Sequence, residues 1–408
     1  MDLEMFDNAS PGDLITINGL DPVRGPWTHR AFTPQPLGDQ EPTLRAATYR
    51  QVSRTRAALA TLDSTARQLP NPALLRRPTL NREAQSTSAL EGTYAPLRDV
   101  LIEDENEPSS VTVREVLNYV VMAEHAFSSV RRGRPLTVGM LAELQAILVD
   151  RTPSESPSSG RIRDIQVVIG RRPDASPDML PVHASRFVPS PPGLDLQARV
   201  RDLLAWVSQG RRDDIDPVVA AAMAHYQFES LHPFHDGNGR LGRLLVVLQF
   251  LINGVLTEPT LTVSPWFESR RSEYYDRLYG VSTQGAWDEW VHFFAQGIEQ
   301  SALDTHHQLR SLLRVQGDLK EVVRASPLRA DNALKLVDVA LARPSFTARQ
   351  VEADLGVSYA RANGLISQLV ELAILEPVRK AASYDRRFRA PRIHAVILGQ
   401  DLPEGAAR

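Results

Sequence analysis

The residues of this chain most able to do chemistry lie in one run, His232-Pro-Phe-His-Asp-Gly-Asn-Gly-Arg-Leu-Gly-Arg243. Pro233 cannot continue a helix and disfavours α geometry in the residue before it, so the helical pattern of Asp216 to Ser230 must stop there. Gly237 and Gly239 permit positive φ and leave backbone N–H groups uncovered, while Asn238 or Gly239 caps a helix expected from about Arg240. Amides converging on a helix N-terminus make an anion site, to which Arg240 and Arg243 add charge from one side of the first turn. Such a site suits phosphate. Asp236 at its lip would be repelled by phosphate oxygens unless a divalent cation lies between them, which points to Mg²⁺. His232 and His235 are the two groups there able to take a proton near neutral pH. The G-x-G-x-x-G spacing from Gly237 to Gly242 also matches dinucleotide-binding turns, but those follow a buried strand, and His225-Tyr-Gln-Phe-Glu-Ser-Leu is helical in period.

The elements around this run read as helices. Helical patterns cover Leu44 to Leu69, about Asn81 to Glu91 with Gly92 as its C-terminal glycine, Val111 to Val130, Leu136 to Val149, Asp195 to Ser208, Asp216 to Ser230, Arg240 to Leu251, Glu268 to Gly280 and Trp287 to Val315. The first 43 or so residues, rich in Pro, Gly and Thr, read as an extended arm. Between Arg151 and Gly193 only Ile165 to Ile169 and His183 to Val188 read as strands, and they pair as a small hairpin.

Composition narrows the chemistry. The 408 residues are 42% hydrophobic and 23% charged, enough for two or three packed domains, and a formal net charge of -3 supplies no global field toward nucleic acid or anionic lipid. The absence of cysteine removes disulfides, thiolate nucleophiles and Cys-ligated metals. The longest apolar run, Leu244 to Leu256, falls short of the roughly 20 residues a bilayer span needs. The acidic start MDLEMFDNASPGD has no basic region leading into an apolar stretch, so a cytoplasmic location is expected. With 43 arginines against three lysines, a single Arg says little by itself.

His232 to Arg243 resembles the Fic family signature, H-P-F-x-[DE]-G-N-G-R-x-x-R, at every specified position. Leu69-Pro-Asn-Pro, Glu115-Val-Leu-Asn-Tyr-Val, Arg271-Ser-Glu-Tyr-Tyr-Asp and Gly285-Ala-Trp-Asp-Glu-Trp are similar to other recurring segments of Fic proteins. The resemblance implies transfer of AMP from ATP to a hydroxyl side chain of a target protein, with pyrophosphate leaving. In that reading His232 is the general base and Asp236 holds Mg²⁺. The nucleotide is bound along Gly237, Asn238, Gly239, Arg240, Leu241, Gly242 and Arg243. Ala184, Ser185, Arg186 and Phe187 resemble the Fic flap that registers the target peptide by strand addition, and Tyr274, Tyr275 and Trp287 match positions lining the adenine and ribose end.

Thr87-Ser-Ala-Leu-Glu91-Gly92 fits the family's inhibitory helix, [ST]-x-x-x-E-[GN], with Arg243 as the partner that the resemblance implies for Glu91. A carboxylate paired with that Arg takes the place of the γ-phosphate and misaligns ATP. From Phe346 to Leu369 the spacing is helix, glycine turn, helix, with Val351 and Leu355 facing Ala362, Leu365, Ile366 and Leu369. Arg379, Lys380, Tyr384, Arg386, Arg387, Phe388 and Arg389 would form a basic wing, and Ser358, Tyr359, Arg361 and Asn363 would face DNA; a protein-interaction module shares the same arithmetic.

The expectation is thus a mainly α protein: a regulatory region over 1–108, a Fic-type helical core with a β-hairpin flap over 109–315, and a winged helix-turn-helix domain over 325–400. It is an adenylyltransferase held down by Glu91, with ATP and a target protein as partners, DNA and a second copy of the chain as further ones, and no membrane. The competing readings are a nucleotide-sensing DNA-binding regulator, and a Fic core that removes AMP or uses another phosphate-linked donor.

Overall fold

The computed structural model describes residues 1–67, 73–103, 108–209, 214–328, 331–378 and 386–400. The chain is mainly helical and folds into two compact units, each assembled from separated stretches of sequence. One unit comprises Met1–Ala60, Val121–Leu256 and Trp266–Gln300; the other comprises Thr61–Val120, Thr257–Pro265 and Ser301–Arg408.

The first unit opens with a feature that the sequence reading missed. The expected extended arm is an antiparallel hairpin of β1 (Gly12–Asp21) and β2 (Gly25–Pro34), paired in register from Gly12 with Pro34 to Asp21 with Gly25. Its turn is written locally: Asp21 accepts the N–H groups of Val23 and Arg24 at 3.0 and 2.8 Å, and Gly25 takes φ +83°. The hairpin ends in buried Ala31 and Phe32, which pack with Val182, Phe187 and Val188.

After α1 (Ala46–Arg67) the chain builds α2 (Ala73–Leu90), α3 (Leu97–Ile102), α4 (Val111–Arg131) and α5 (Val138–Val149). Then come β3 (Ile169–Arg171), α6 (Pro181–Ala184), β4 (Ser185–Phe187) and α7 (Leu194–Ser208). The centre of the first unit is a helical pair, α8 (Pro217–Leu231) and α9 (Asn238–Ile252), each with 13 buried residues. Such all-round burial is the mark of a core helix rather than a surface one. Asp216 caps α8 by accepting the Val218 N–H at 2.8 Å, with Pro217 at the first helical position. Gly242 sets how closely the pair approaches, because a Cβ there would lie 2.3 Å from Glu229 Oε1 and 3.1 Å from Phe228. Next come α10 (Ser264–Glu268), α11 (Arg271–Gln284) and α12 (Trp287–Ala325), the last running ten residues past its expected end. Trp290 anchors α12 to α8 by donating to Ala222 O at 2.9 Å.

In the second unit α2 begins at Ala73, well before the expected Asn81, and carries Pro78 inside it. That proline made the first turns read as non-helical. The chain continues through α13 (Asp331–Ala342), β5 (Phe346–Thr347), α14 (Ala348–Leu355), α15 (Tyr359–Glu371), β6 (Glu376–Pro377), β7 (Arg387–Arg389) and α16 (Pro391–Ile397). The three strands form an antiparallel sheet in the order β5-β7-β6. A reciprocal Thr347–Gln350 capping box starts α14, Gly356 at φ +63° ends it, and Ser358 caps α15. Val351, Ala362, Leu365, Ile366 and Leu369 are buried, as their spacing predicts.

Candidate functional site

The run from His232 to Arg243 forms a tight turn between the two central helices. His232 is the last residue of the α8 end, in left-handed backbone geometry at φ +49°, ψ +62°. A non-glycine residue held there carries strain of about 1–2 kcal/mol, which the surroundings must offset. Its N–H donates to Phe228 O at 3.0 Å, and its ring Nδ1 lies 3.3 Å from Glu229 O. A carbonyl only accepts, so in this contact Nδ1 is the donor, and in the neutral form of the ring Nε2 is then the basic nitrogen.

Gly237 caps α9 at φ +87° and supplies no side chain to the first-turn amides, an arrangement able to receive an anion. Asp236 sits beside them. Its Oδ1 accepts the Gly237 N–H at 2.6 Å and its Oδ2 pairs with Arg240 Nη2 at 3.2 Å. Burial pushes this carboxyl up, but Arg240, the Ser154 hydroxyl and the Gly237 amide outweigh it and hold it below the usual carboxylate range. It is ionised at neutral pH and partly exposed, the state that suits one-carboxylate Mg²⁺ binding with phosphate oxygens completing the shell. Arg240 and Arg243 are buried. The unpartnered Arg240 Nε marks donor capacity within the site.

Asn238 makes two hydrogen bonds within the turn. Its Oδ1 accepts the Phe234 N–H and its Nδ2 donates to Phe234 O, both at 2.9 Å, with Asn238 and Phe234 buried. The amide ties the turn shut and is not presented to a phosphate. Leu241 has no exposed surface, and Gly242 is a close contact of the α8–α9 pair.

The expected hairpin exists with shifted strands: β3 and β4 pair antiparallel, Ile169 with Phe187 and Arg171 with Ser185. Its residues divide. Ala184, Ser185 and Phe187 are buried, with Ser185 Oγ donating to Val182 O and Phe187 stacking near Phe32. Arg186 points away to Asp276 and lies over the Tyr279 ring at 5.1 Å. These side chains are therefore engaged within the fold.

Tyr274 is a core residue rather than a pocket lining. Fully buried, it meets His225 Nε2 through its hydroxyl at 2.7 Å within a cluster of Trp290, Phe267 and Phe294. Burial, with Arg243 nearby, pushes His225 down to about 3, so it is neutral. Tyr275 and Trp287 keep partial exposure, Trp287 packing edge-on against Tyr226 at 4.8 Å.

Two positioning residues escaped the sequence reading. Gln145 on α5 donates to Asp236 O at 3.2 Å and accepts the Gly160 N–H at 2.6 Å. Arg163, 1% exposed, donates to main-chain carbonyls on both sides of His232. Gln145 carries no local signal, and Arg163 is one arginine among 43.

In the second unit α2 ends at Leu90, and Gly92 takes φ +96° while Thr93 N–H returns to Ser88 O at 3.0 Å. Thr93 Oγ1 also donates to Glu115 at 2.7 Å. Thr87 is buried, and Glu91 stands exposed at the end of the helix, where the macrodipole disfavours a carboxylate unless a cation meets it. Further along, α15 exposes Tyr359, Arg361 and Asn363. Of the expected wing, Arg387 bonds Ser345 and Arg389 pairs with Glu376, while Arg379, Lys380 and Tyr384, like Leu69-Pro-Asn-Pro, lie outside the described residues. Among the described residues no helix is long and apolar enough to cross a membrane.

Comparison with known proteins agrees with this turn. Residues 49–128 match the Fic/DOC family N-terminal model and residues 135–250 the Fic/DOC family model. Protein adenylyltransferase fic-1 of Caenorhabditis elegans is 32% identical over 143 residues, 35% of this chain and 24% of that protein. Protein adenylyltransferase Fic of Aedes aegypti is 33% identical over 120 residues, 29% of this chain and 22% of that protein. The chain thus spans about a quarter of the length of the curated relatives it matches. The crystal structure of a Fic family protein from Desulfovibrio desulfuricans shares the fold, with a TM-score of 0.52 at 19% identity over 86% of this chain and 98% of that one.

Proposed function

We infer that this chain, which belongs to the Fic/DOC family through residues 49–128 and 135–250, is a protein adenylyltransferase acting through the turn from His232 to Arg243. The observation that carries the reading is the pairing of His232, whose Nδ1 contact leaves Nε2 as the basic nitrogen, with an uncapped α9 N-terminus beside an ionised Asp236. ATP would lie with its phosphates on the first-turn amides, clamped by Arg240 and Arg243. Asp236 would hold Mg²⁺, which when bound offsets the charge developing on the phosphates. The target hydroxyl oxygen attacks the α-phosphorus as His232 Nε2 takes its proton; the bond from that phosphorus to the bridging oxygen breaks, and pyrophosphate carries away the electron pair. The β3–β4 hairpin would register the acceptor peptide by main-chain pairing.

Glu91 is the brake in this reading, on the resemblance of Thr87 to Gly92 to the family's inhibitory helix: its carboxylate would compete with the γ-phosphate for Arg243. The C-terminal module, read as a winged helix, presents α15 to a partner and is not needed for the chemistry. The test is donor choice with the Glu91→Gly variant. Protein incubated with Mg²⁺ and ATP labelled at the α-phosphorus should become labelled, γ-labelled ATP should leave its label in pyrophosphate, and CTP, GTP, UTP and CDP-choline should compete poorly. Label from the γ position on protein, or preference for CDP-choline, would replace this reading.

A further inference from the structure

Behind His232 lies a charge that the reaction above does not use. Arg163 is 1% exposed, and its acceptors are main-chain carbonyls: Nε donates to His232 O at 2.8 Å, Nη1 to Ile165 O at 3.1 Å, and Nη2 to Leu231 O at 3.3 Å and to Ser190 O. Its own N–H donates to Pro233 O at 2.9 Å. Arg163 therefore grips three consecutive residues of the turn, Leu231 and His232 through its side chain and Pro233 through its main-chain N–H, and the middle one is the residue in left-handed geometry.

We propose that Arg163 is the positioning residue of this centre: its guanidinium holds His232 in its strained backbone conformation and locks the segment leaving the β3–β4 hairpin to the same turn. The proposal rests on the adenylyltransferase reading for its rate effect, not for its geometry. Burying a cation without a carboxylate beside it costs several kcal/mol, and burial does push this guanidinium down, to about 10, while leaving it charged at neutral pH. An apolar side chain of similar volume would fill the space without that cost. What it would not supply is a planar fork of donors directed at carbonyls from three separate segments, nor would lysine, a compact point charge. Ser190 lies three residues past β4, so the carbonyl that Arg163 holds there joins the peptide-registering hairpin to the backbone of the base. Arg163 touches no reacting atom; it acts through the main chain of Leu231, His232 and Pro233.

The test compares Arg163→Lys with its parent, both carrying Glu91→Gly, by thermal melting, Mg²⁺-ATP affinity, AMP transfer and the ¹⁵N spectrum of the His232 ring. The expected result is a variant that still melts cooperatively and binds Mg²⁺-ATP within about threefold of the parent. Transfer should fall about 100-fold, the loss typical of a reacting group misplaced by an ångström, and the His232 Nδ1–H signal should move or broaden. Parental transfer with an unchanged His232 signal would overturn the proposal, as would losses of binding and transfer that only track the loss of folded protein. Should the variant fail to fold, the parent itself supplies the measurement: the Arg163 Nε–H should be protected from hydrogen exchange, and a fast-exchanging one would overturn the proposal. If the parent transfers no AMP at all, the functional reading fails, while the His232 and Arg163 resonances still decide the geometry.

Discussion

Replacing Asn238 separates a tie within the turn from a ligand to phosphate. In the structure both ends of its amide are taken by the buried main chain of Phe234, each at 2.9 Å. Asn238→Ala leaves one N–H and one carbonyl buried without those partners, at about 1–3 kcal/mol each; allowing for local relaxation, the loss is roughly 2–4 kcal/mol. For a folding unit of this size that corresponds to a fall of roughly 5–15 °C in melting temperature. Asn238→Asp sharpens the test. Its carboxylate still accepts from Phe234 N–H, but the second oxygen faces Phe234 O, so the folded state favours the protonated acid and raises its pKa above the unfolded value near 3.9. A raised folded pKa stabilises at low pH and the effect is lost as pH rises through it. The melting deficit of Asn238→Asp relative to the parent should therefore shrink as pH falls from 8 toward 5. Calorimetry and Mg²⁺-ATP titration check both variants. An Asn238→Ala protein that melts like the parent but binds nucleotide weakly would refute this reasoning and return Asn238 to the phosphate.

Three further outcomes are expected. Glu91→Gly should raise self-labelling from α-labelled ATP about 10- to 150-fold, the equivalent of one charge-assisted contact of about 1.5–3 kcal/mol; equal labelling removes it from the role of brake. Gly237→Ala places a Cβ at φ +87° and 2.8 Å from Leu148 Cδ2, so it should lower both melting temperature and nucleotide affinity, by about 1–2 kcal/mol from the backbone alone; wild-type values for both would contradict the turn described. His225 is neutral in the fold, with its pKa held down near 3. The unfolded chain thus binds a proton that the fold does not, and stability falls as pH drops from about 6.5 toward 3. His225→Gln should melt with a shallower pH slope between 7 and 4, and an unchanged slope would place the acid sensitivity elsewhere.

How much was legible in the sequence follows from where each residue's constraint lies. The turn from His232 to Arg243 was readable because its residues answer local requirements: proline to end a helix, a glycine at positive φ to begin the next, a carboxylate and two arginines beside first-turn amides that no side chain caps. The capping box and glycine of α14 were likewise local. The N-terminal hairpin was not, since most of its residues are at least partly exposed and the apolar and polar residues of GDLITINGLD and GPWTHRAFTP do not alternate in sequence. Its one clear signal, Asp21-Pro-Val-Arg-Gly25, sat among other prolines and glycines. Residue type alone did not announce that the side chains of Asn238, Leu241 and Tyr274 are buried. Arg163 and Gln145 acquire their roles from long-range packing that no spacing encodes.

The most direct measurement is single-turnover AMP transfer by the Glu91→Gly protein with and without His232→Ala, alongside the affinity of each for Mg²⁺-ATP. The base assignment predicts nearly equal affinity and a transfer rate lower by about 10²–10⁴-fold in the alanine protein. Undiminished transfer without the imidazole would contradict it.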